Sequence, residues 1–515
     1  MYSRISSTLQ KLLFQIHIGL PKPAFSGVGG LPESVFLARG LEAQAVAAKA
    51  VVTRAAVART VRACGFLISA VLATGWASSA AAQAGVDQSV TLTPTPTPTP
   101  TGAQASDPAT LEWMTGFPPV SDKLIAQPFT DFWSFPKIRW SVCHLRELLP
   151  TRNVSRGLGA PTPLRATRDL RLAGMPVATG EGASQPLSEF LVDNYTDGFI
   201  VLHQGVVRYE YYDGCLTPTL PHATMSMTKS VTGLLGEMLI ADGVLDDSRP
   251  VTDWIPELAD SAFAGATLRQ VMNMTTGVAF DETYSDPNSD IWVYARASDA
   301  MPKPGSYDGP VGFLDFLVSL KRKEAEHGER FKYGTINTDV LGWVLSRATG
   351  QSVAELVEQR LWQPMGAELD AYYKNDALGI VHAGGGLNAG LRDLARLGQL
   401  LLNGGRVGDR QVISPAAVES VLNGARIEGA AAAAPTHGDH ARYFPAYRSM
   451  WWYGGTAERP VIAARGVYGQ TIYIDPVAEV VMVRLASDPQ ASSYHIDPRV
   501  QPVYRQIADS FLDSP

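Results

Sequence analysis

The sequence predicts an α+β fold in which an antiparallel sheet, built from both chain ends, is flanked by helices and carries an inserted, mostly helical lobe. Two observations predict this architecture. Strand-like runs occur near both ends of the region after residue 110, and the segments between them have the apolar spacing of helices. Strands at both ends with helices between them favour a layered arrangement. We therefore expect the functional site between the sheet and the helical lobe.

Each predicted strand pair flanks a turn signal. One predicted pair consists of the runs 199–203 and 206–212, which are rich in β-branched and aromatic residues and flank a Gln-Gly pair. The other consists of the runs 470–474 and 477–485, which flank an Asp-Pro pair. In the middle region, apolar residues recur at spacings of three and four, which is typical of helices. The predicted helices are 230–242, 313–321, 338–348, 353–361 and 392–402.

Residues 1–84 are predicted to be a leader that carries an export signal. Three arginines precede the apolar run 64–77, and an Ala-Gln-Ala triplet ends the segment as in signal-peptide cleavage sites. The run is shorter than the about 20 residues that a membrane-spanning helix needs, so we expect a periplasmic or secreted protein without a stable membrane anchor. Because about fifty residues precede the signal, translation is expected to begin near residue 51 rather than at Met1.

The remainder of the chain is predicted to form a linker and one domain. Residues 85–110 include an alternating Thr-Pro tract, which should be extended and stiff because proline fixes φ and removes backbone donors. Residues 111–515 contain no internal repeat and no second linker. They are therefore expected to fold as one unit.

The charge and the cysteine content argue against two classes of protein, those that bind nucleic acid and those built on a disulfide scaffold. The formal net charge is −7 and no sustained cluster of lysine and arginine occurs, so no nucleic-acid partner is expected. Three cysteines in 515 residues exclude a disulfide scaffold. Cys143 and Cys215 lie after the leader, and the sequence leaves open whether they form a disulfide or remain two free thiols.

The main chemical signal is a Ser-x-x-Lys motif at a predicted helix start. Ser226 and Lys229 open the run SMTKSVTGLLGEMLIADG, and their spacing places both side chains on one helix face within hydrogen-bond reach. A serine beside an amine is a candidate nucleophile, provided that burial or a nearby cation lowers the lysine pKa from its free value of about 10.4. The structural alternative is that Ser226 caps the helix and Lys229 lies at the surface.

Other segments carry weaker signals. Tyr333 lies directly before a predicted helix, and the run Arg465-Gly466-Val467 precedes a predicted strand, where backbone groups can face a substrate. His437 and His440 are predicted to lie in a solvated loop rather than a metal site. For His382 a structural role is preferred over lining the cleft, and for the run 451–453 packing in the core is preferred over walling a substrate pocket. No Gly-x-Ser-x-Gly elbow occurs.

With these motifs, residues 111–510 resemble the serine β-lactamase and penicillin-recognising superfamily. The resemblance is strongest to its class C-like branch of esterases and amidases, and there to the nylon-oligomer (6-aminohexanoate-dimer) hydrolases. It implies a β-lactamase/transpeptidase-like fold. The segments that carry it are WMTGFPP (113–119), FPKIRWSVCHLRELLPT (135–151), SMTKSVTG (226–233), MTTGVAFDETYSDPNSD (274–290), FKYGTINTDVLGWVL (331–345) and GGGLNAGLRDLARLG (384–398).

The resemblance also implies residue roles. Ser226 would be the acylated nucleophile, Lys229 would accept its proton, and Tyr333 would share the base role and pass a proton to the leaving group. Backbone N–H groups of Ser226 and Val467 would form the oxyanion hole, and Tyr284 would contact the substrate amide. The implied reaction is a two-step hydrolysis of a small linear amide or ester, without a metal or organic cofactor.

Two departures from the family pattern bear on the substrate. Thr335 stands where the Tyr-x-Asn element has asparagine, with Asn337 as the nearest substitute, and the run 464–466 reads Ala-Arg-Gly instead of Lys-Thr-Gly. The second departure argues against binding of a β-lactam carboxylate. An exported amidase or esterase is therefore preferred over a β-lactamase or D-peptidase. The alternative outside enzymes is a non-catalytic binding or sensor protein of the same fold.

Overall fold

The computed structural model describes residues 102–126, 131–180, 182–303, 305–426 and 440–512. These residues belong to one compact unit that runs from residue 96 to the end of the chain. The leader, the translation start and most of the Thr-Pro linker lie outside the described residues, so those predictions stay predictions. At the start of the described part, Ser106 is buried and accepts a hydrogen bond from Arg139 Nη1 at 3.1 Å.

The described residues form fourteen α-helices and sixteen strands, and no strand occurs between Met227 and Met365. The α-helices are α1 (Ile138–Ser141), α2 (Leu145–Leu148), α3 (Leu187–Asp193), α4 (Met227–Ala241), α5 (Leu268–Met272), α6 (Asp290–Ala297), α7 (Phe313–Ser319), α8 (Thr335–Thr349), α9 (Val353–Val357), α10 (Gln363–Met365), α11 (Leu391–Leu402), α12 (Pro415–Leu422), α13 (His440–Tyr443) and α14 (Ser493–Leu512). The strands are β1 (Thr151–Val154), β2 (Arg165–Ala166), β3 (Pro176–Gly180), β4 (Ala183–Pro186), β5 (Thr196–His203), β6 (Val206–Tyr212), β7 (His222–Ala223), β8 (Ala371–Lys374), β9 (Leu387–Ala389), β10 (Arg406–Val407), β11 (Arg410–Gln411), β12 (Ala446–Arg448), β13 (Trp451–Gly455), β14 (Pro460–Gly466), β15 (Gln470–Asp475) and β16 (Val480–Ala486).

The largest sheet joins strands from both ends of the domain, as the sequence predicts. Its order is β12-β13-β14-β15-β16-β5-β6-β2. The C-terminal β16 pairs antiparallel with β5, which places Arg484 opposite Phe199. The one departure from the predicted antiparallel sheet among these described strands is β2, which pairs parallel with β6 and was not predicted because it has only two residues.

Side chains of the central strands alternate between two cores. In β5, Ile200 and Leu202 belong to one core, while Phe199 and Val201 belong to the other. The first core contains the buried faces of α4 and α11, and the second contains those of α3 and α14. The sheet is therefore the middle layer between two layers of helices, and the predicted α+β class is confirmed.

The predicted helices are present, with shifted ends. Helices α4 and α8 each begin three residues before the prediction. Helix α9 ends at Val357, where the prediction continues to residue 361, and a π-helical turn follows at Glu358–Trp362. Within the described part of the chain, no helix has the length and apolar character needed to cross a bilayer.

A second, smaller sheet was not predicted. Its order is β1-β8-β9-β7, and its strands have two to four residues, which is too short for a recognisable pattern. Strand β7 ends at Ala223 and α4 begins at Met227. This sheet therefore fixes the point at which the chain enters α4.

Cys143 and Cys215 form a disulfide, with an Sγ–Sγ distance of 2.03 Å and a Cα–Cα distance of 6.0 Å. The bond joins the segment between α1 and α2 to the segment that follows β6. It decides between the two alternatives that the sequence left open, because neither cysteine is a free thiol.

Candidate active site

Ser226 lies where the short β7 strand leads into α4. Its backbone is already helical, with φ −67° and ψ −9°, and its side chain caps no N–H group of the helix. The preceding residue, Met225, has φ +49°, a left-handed conformation that costs an L residue about 1–2 kcal/mol. The capping alternative is therefore excluded, and the hydroxyl is available to other partners.

Lys229 is buried and directs its amine at Ser226. The Nζ atom lies 2.8 Å from Ser226 Oγ and donates a hydrogen bond to the carbonyl oxygen of Gly384 at 2.6 Å. Burial lowers the pKa of Lys229 from 10.5 to about 8, although the charges of Glu282 and Asp339 act in the opposite direction. The surface alternative is excluded, and the amine can lose its proton near neutral pH.

Tyr333 lies beside both of these residues. Its ring centroid is 5.2 Å from Lys229 Nζ, and Ser226 is near enough to influence the pKa of its phenol. Burial and the negative charge of Glu282 raise the pKa of Tyr333 well above its usual value, so the phenol keeps its proton. The ring also stacks on Trp452, with 5.8 Å between centroids, which fixes its orientation. The structure thus brings together the three residues predicted from the sequence.

A buried carboxylate supports the carbonyl group that holds Lys229. Asp339 accepts hydrogen bonds from Gly384 N at 3.1 Å and from Tyr294 Oη at 2.8 Å, and burial raises its pKa to about 7. A Cβ atom on Gly384 would lie 2.7 Å from Thr335 Cγ2 and 2.9 Å from Asp339 Oδ2. Glycine is therefore required at residue 384 for the backbone to approach this cluster.

Glu282 joins Tyr284 to the start of α8. Its carboxylate accepts hydrogen bonds from Tyr284 Oη at 2.8 Å, from Thr335 Oγ1 at 2.7 Å and from Thr335 N at 2.6 Å. The N-cap residue of α8 is Gly334, which has no side chain to cap the helix. Glu282, which lies outside the helix, accepts a hydrogen bond from the N–H group of its first residue. Its negative charge also interacts favourably with the positive end of the helix dipole. Because Tyr333 precedes the same helix start, one carboxylate positions both tyrosines.

The end of β14 packs closely against the start of α4. A Cβ atom on Gly466 would lie 2.6 Å from Thr224 O and 3.0 Å from Ser226 N, so only glycine permits this approach. Val467 follows directly and lines the space in front of Ser226. This contact brings the backbone of residues 466–467 next to the amide of Ser226, the pair from which the family resemblance implies an oxyanion hole.

Two cavities meet at Ser226. The walls of the aromatic cavity include Trp133, Trp292, Tyr294 and Phe313. The walls of the polar cavity include Glu282, Lys332, Tyr333 and Arg465. The residues that line both cavities are Ser226, Tyr284 and Val467. A substrate can therefore extend in two directions from the serine hydroxyl.

Asn337 does not replace the asparagine that the family pattern lacks here. Its Oδ1 accepts a hydrogen bond from Thr276 and its Nδ2 donates one to the Gly334 carbonyl, so both ends of the amide are engaged. Thr335, the residue at the departing position, lines the aromatic cavity and donates to Glu282. A threonine therefore stands in place of the asparagine, and it binds Glu282 at the start of α8.

Arg465 stands where the family has the lysine-threonine-glycine element. It forms a buried ion pair with Asp497, and its guanidinium lies over the rings of Phe444 and Trp452 at 4.7 and 5.5 Å from their centroids. The Arg465 guanidinium is therefore already engaged in contacts within the protein. This supports the expectation from the sequence that a β-lactam carboxylate is not bound here.

The other residues singled out in the sequence agree with their predictions only in part. Trp451 and Tyr453 are buried in the core as predicted, whereas the neighbouring Trp452 lines the polar cavity. His382 lines the aromatic cavity and stacks on Phe313 at 4.9 Å. The His437 loop lies outside the described residues, as does the side chain of residue 440, so that prediction stays a prediction.

Three charged residues of the site were missed in the sequence. Glu282 lies two residues before Tyr284 in the segment DETYSDP, so its proximity to a predicted site residue was a usable signal. Asp339 gave no signal because its partners come from elements far away along the chain, and Lys374 gave none because it ends a short strand that was not predicted. Only the fold brings them to the serine.

Comparison with known proteins places the chain among hydrolases. The Beta-lactamase family model matches residues 192–501. The chain is 34% identical over 376 residues to the 6-aminohexanoate-dimer hydrolase of Paenarthrobacter ureafaciens, which covers 72% of this chain and 90% of that protein. A shorter stretch of 151 residues is 31% identical to esterase EstB of Burkholderia gladioli, covering 27% of this chain and 36% of the esterase.

A solved structure agrees with the sequence matches. A protein from Bacillus anthracis, provisionally named 6-aminohexanoate-dimer hydrolase, superposes with a TM-score of 0.67 at 30% identity and covers 75% of this chain and 97% of its own. The predicted β-lactamase/transpeptidase-like fold is confirmed. The domain is thus related both to an amide hydrolase and to an esterase by the names of its relatives.

Proposed function

This chain belongs to the beta-lactamase family, and we propose that it is a serine hydrolase that cleaves linear amides or esters through an acyl-enzyme. The family and the named relatives make it a hydrolase of the β-lactamase fold. The observation that carries the finer proposal is one arrangement: the amine of Lys229 lies 2.8 Å from Ser226 Oγ, and the ring of Tyr333 lies beside that amine at 5.2 Å.

Lys229 is the base of the first step. Its lowered pKa supplies a neutral amine near neutral pH, and this amine takes the proton from Ser226 Oγ as the oxygen attacks the substrate carbonyl carbon. The new Oγ–C bond forms while the carbonyl electron pair moves onto oxygen. Backbone N–H groups of Ser226 and Val467 stabilise that negative charge.

Tyr333 is the proton donor to the leaving group. Its raised pKa makes the phenol a poor base but keeps its proton available. As the C–N or C–O bond breaks, Tyr333 gives its proton to the leaving atom and receives one from the Lys229 ammonium. This division of labour refines the shared base role that the resemblance implied.

Water completes the reaction. A water molecule loses a proton to the Lys229 amine as its oxygen attacks the acyl carbon, and the C–Oγ bond breaks. The leaving Ser226 oxygen recovers the proton. The products are a carboxylic acid and the amine or alcohol released in the first step, and the residues return to their starting protonation states.

The two cavities separate the two parts of the substrate. Tyr333 lines the polar cavity and is absent from the walls of the aromatic cavity. Because the proton donor must face the leaving atom, the leaving group lies in the polar cavity. The acyl chain then extends from Ser226 into the aromatic cavity.

A panel of substrates tests this proposal. Short ω-amino amides, p-nitrophenyl esters, D-amino peptides and nitrocefin are offered to the wild type, to Ser226→Ala and to Ser230→Ala. The control removes a hydroxyl from the same helix, one that donates to Met450 O and lines neither cavity. We expect turnover of an amide or ester by the wild type and the control, and a loss of at least about 10³-fold in Ser226→Ala.

Two outcomes would contradict the proposal. Faster cleavage of nitrocefin than of any linear amide or ester would make the protein a β-lactamase. No turnover of any compound would favour the binding or sensor protein.

We also propose that the protein is exported to the periplasm or secreted. The leader predicted at residues 1–84 and the Cys143–Cys215 disulfide support this location, because such bonds persist mainly in oxidising compartments. Cell fractionation with N-terminal sequencing tests it. We expect a mature N-terminus near residue 85, whereas a cytoplasmic protein that begins upstream of residue 60 would contradict export.

A further inference from the structure

The aromatic cavity contains a cation that the proposed mechanism does not use. Lys374 is the last residue of β8 and lines this cavity together with Ser226. Its Nζ lies 5.6 Å from the ring centroid of Trp133. In the part of the chain that the structure describes, no carboxylate lies within 4.0 Å of this ammonium and no acceptor forms a hydrogen bond with it.

Nothing on the cavity wall balances this charge. The described residues that line the aromatic cavity include no aspartate and no glutamate. His382 lines it, but burial lowers its pKa well below the usual value, so the ring is neutral. Among the described residues that line this cavity, Lys374 is therefore the one cation.

The nearby acids have other partners. Asp339 accepts from Gly384 N and Tyr294 Oη, and Glu282 accepts from Tyr284 and Thr335. Asp339 acts on Lys374 through space, since its charge opposes the lowering of the lysine pKa to about 8 by burial and by Lys229. Lys374 is partly buried, and an ammonium in such a place without a hydrogen-bonded counter-ion is costly. A ligand carboxylate removes that cost.

We propose that the aromatic cavity takes an acyl chain that ends in a carboxylate held by Lys374, so that the substrates are half-amides or half-esters of aliphatic dicarboxylic acids. The proposal rests on the proposed function, which puts the acyl chain in this cavity. The aromatic and aliphatic walls suit a methylene chain, and the single ammonium suits an anion at its end. An acyl chain that ends in an ammonium, such as 6-aminohexanoyl, would meet the like charge of Lys374.

Matched p-nitrophenyl esters test the inference. Their acyl chains have equal length and end in a carboxylate, a methyl group or an ammonium, and each series covers about four to eight carbons because cavity volume limits the length. At pH 7, the wild type should prefer the carboxylate over the methyl end by about tenfold in kcat/KM, and the ammonium should be the poorest. Spontaneous hydrolysis is subtracted throughout.

Variants at Lys374 assign the preference to this residue. Lys374→Met should reduce the carboxylate-to-methyl ratio to about one, Lys374→Arg should keep a preference, and Lys374→Glu should favour the ammonium end. Each ratio is taken within one variant, so a general loss of activity cancels. Arg322→Met is the matched control, because it removes one exposed positive charge that lines neither cavity, and it should keep the wild-type ratio.

The outcomes separate this inference from the proposed function. If the wild type hydrolyses the methyl-ended ester through Ser226 but ignores the terminal charge, or if its carboxylate preference persists in Lys374→Met, the inference is overturned and the proposed function stands. If no ester is hydrolysed, or if Ser226→Ala keeps full turnover, the proposed function fails and the inference fails with it.

Discussion

Lys229, which is buried, and Lys374, which is partly buried, show how two lysines can serve opposite purposes in one site. Burial lowers the pKa of each to about 8. Lys229 Nζ is hydrogen-bonded to Ser226 Oγ and to the Gly384 carbonyl oxygen, so its neutral form can accept the proton of the serine hydroxyl. Lys374 has no such partner among the described residues, so its charged form is the useful one. The partners, rather than the pKa, separate a base from an anion-binding group.

The pH dependence of hydrolysis reports on Lys229. The base must be neutral, and its pKa is lowered from 10.5 to about 8, so kcat/KM should rise with pH through about 8 and then level off. The profile is measured with a methyl-ended ester, since this substrate does not depend on the charge of Lys374. A rate that falls over this range, or rises only near pH 10.5, would exclude Lys229 as the base.

Tyr284 should distinguish amides from esters. Its hydroxyl donates to Glu282, which leaves the oxygen lone pair free to accept the N–H of a substrate amide. An ester has no such N–H, so Tyr284→Phe should lower kcat/KM for an amide about tenfold and leave an ester nearly unchanged. The control is Tyr307→Phe, whose hydroxyl donates to Pro310 O away from both cavities. Equal losses for amide and ester would remove this role.

At the level of elements, the start of α8 depends on a residue outside the helix. Glu282 replaces the missing cap at Gly334 and also holds Tyr284. A loop and a helix are therefore locked together in front of Ser226. Because Tyr333 lies two residues before the start of α8, the position of this helix start bears on the geometry of proton transfer.

Glu282→Gln tests this link. The amide keeps the shape of the side chain but loses the charge, so kcat/KM should fall about tenfold for both amides and esters. Because the charge of Glu282 raises the pKa of Lys229, the rise of the pH profile should move to lower pH. Glu329→Gln removes an exposed charge that lines neither cavity and should change neither quantity. An unchanged profile in Glu282→Gln would show that the carboxylate is not close to the base.

The elements found from the sequence are those with a long enough local pattern. The hairpin of β5 and β6 has strands of eight and seven residues around a turn signal, and helix α4 has an apolar period over fifteen residues. The second sheet was missed because its strands are short, and with it Lys374, which ends one of them. Glu282 and Asp339 were missed because partners of each lie far away along the chain. Ser226, Lys229 and Tyr333 were found because a fixed spacing and a family resemblance carry them.

For the whole molecule, the disulfide is the main covalent constraint on the fold. It closes a loop between cysteines that are 72 residues apart in sequence. Replacing Cys143 and Cys215 by alanine should lower the free energy of unfolding by about 2–5 kcal/mol, because the unfolded chain gains conformational freedom. Denaturant unfolding measures the change. Equal unfolding free energies for the wild type and the double variant would show that the bond adds no stability.

The same double variant should keep its activity, because neither cysteine lines a cavity. The catalytic residues depend instead on the packing of α4 between the large sheet and α8, within the first core. Turnover of a methyl-ended ester by the folded double variant checks this separation. Loss of activity without loss of folding would show that the disulfide also positions the site.

The most direct test is to trap the acylated serine. The wild type is incubated with a fluorophosphonate or a slowly deacylating ester, and the adduct is located by mass spectrometry of its peptides. We expect one adduct on the peptide that contains Ser226, formed faster as pH rises toward 8 and absent in Ser226→Ala. An adduct on another residue, or labelling that persists in Ser226→Ala, would contradict the assignment of Ser226 as the nucleophile.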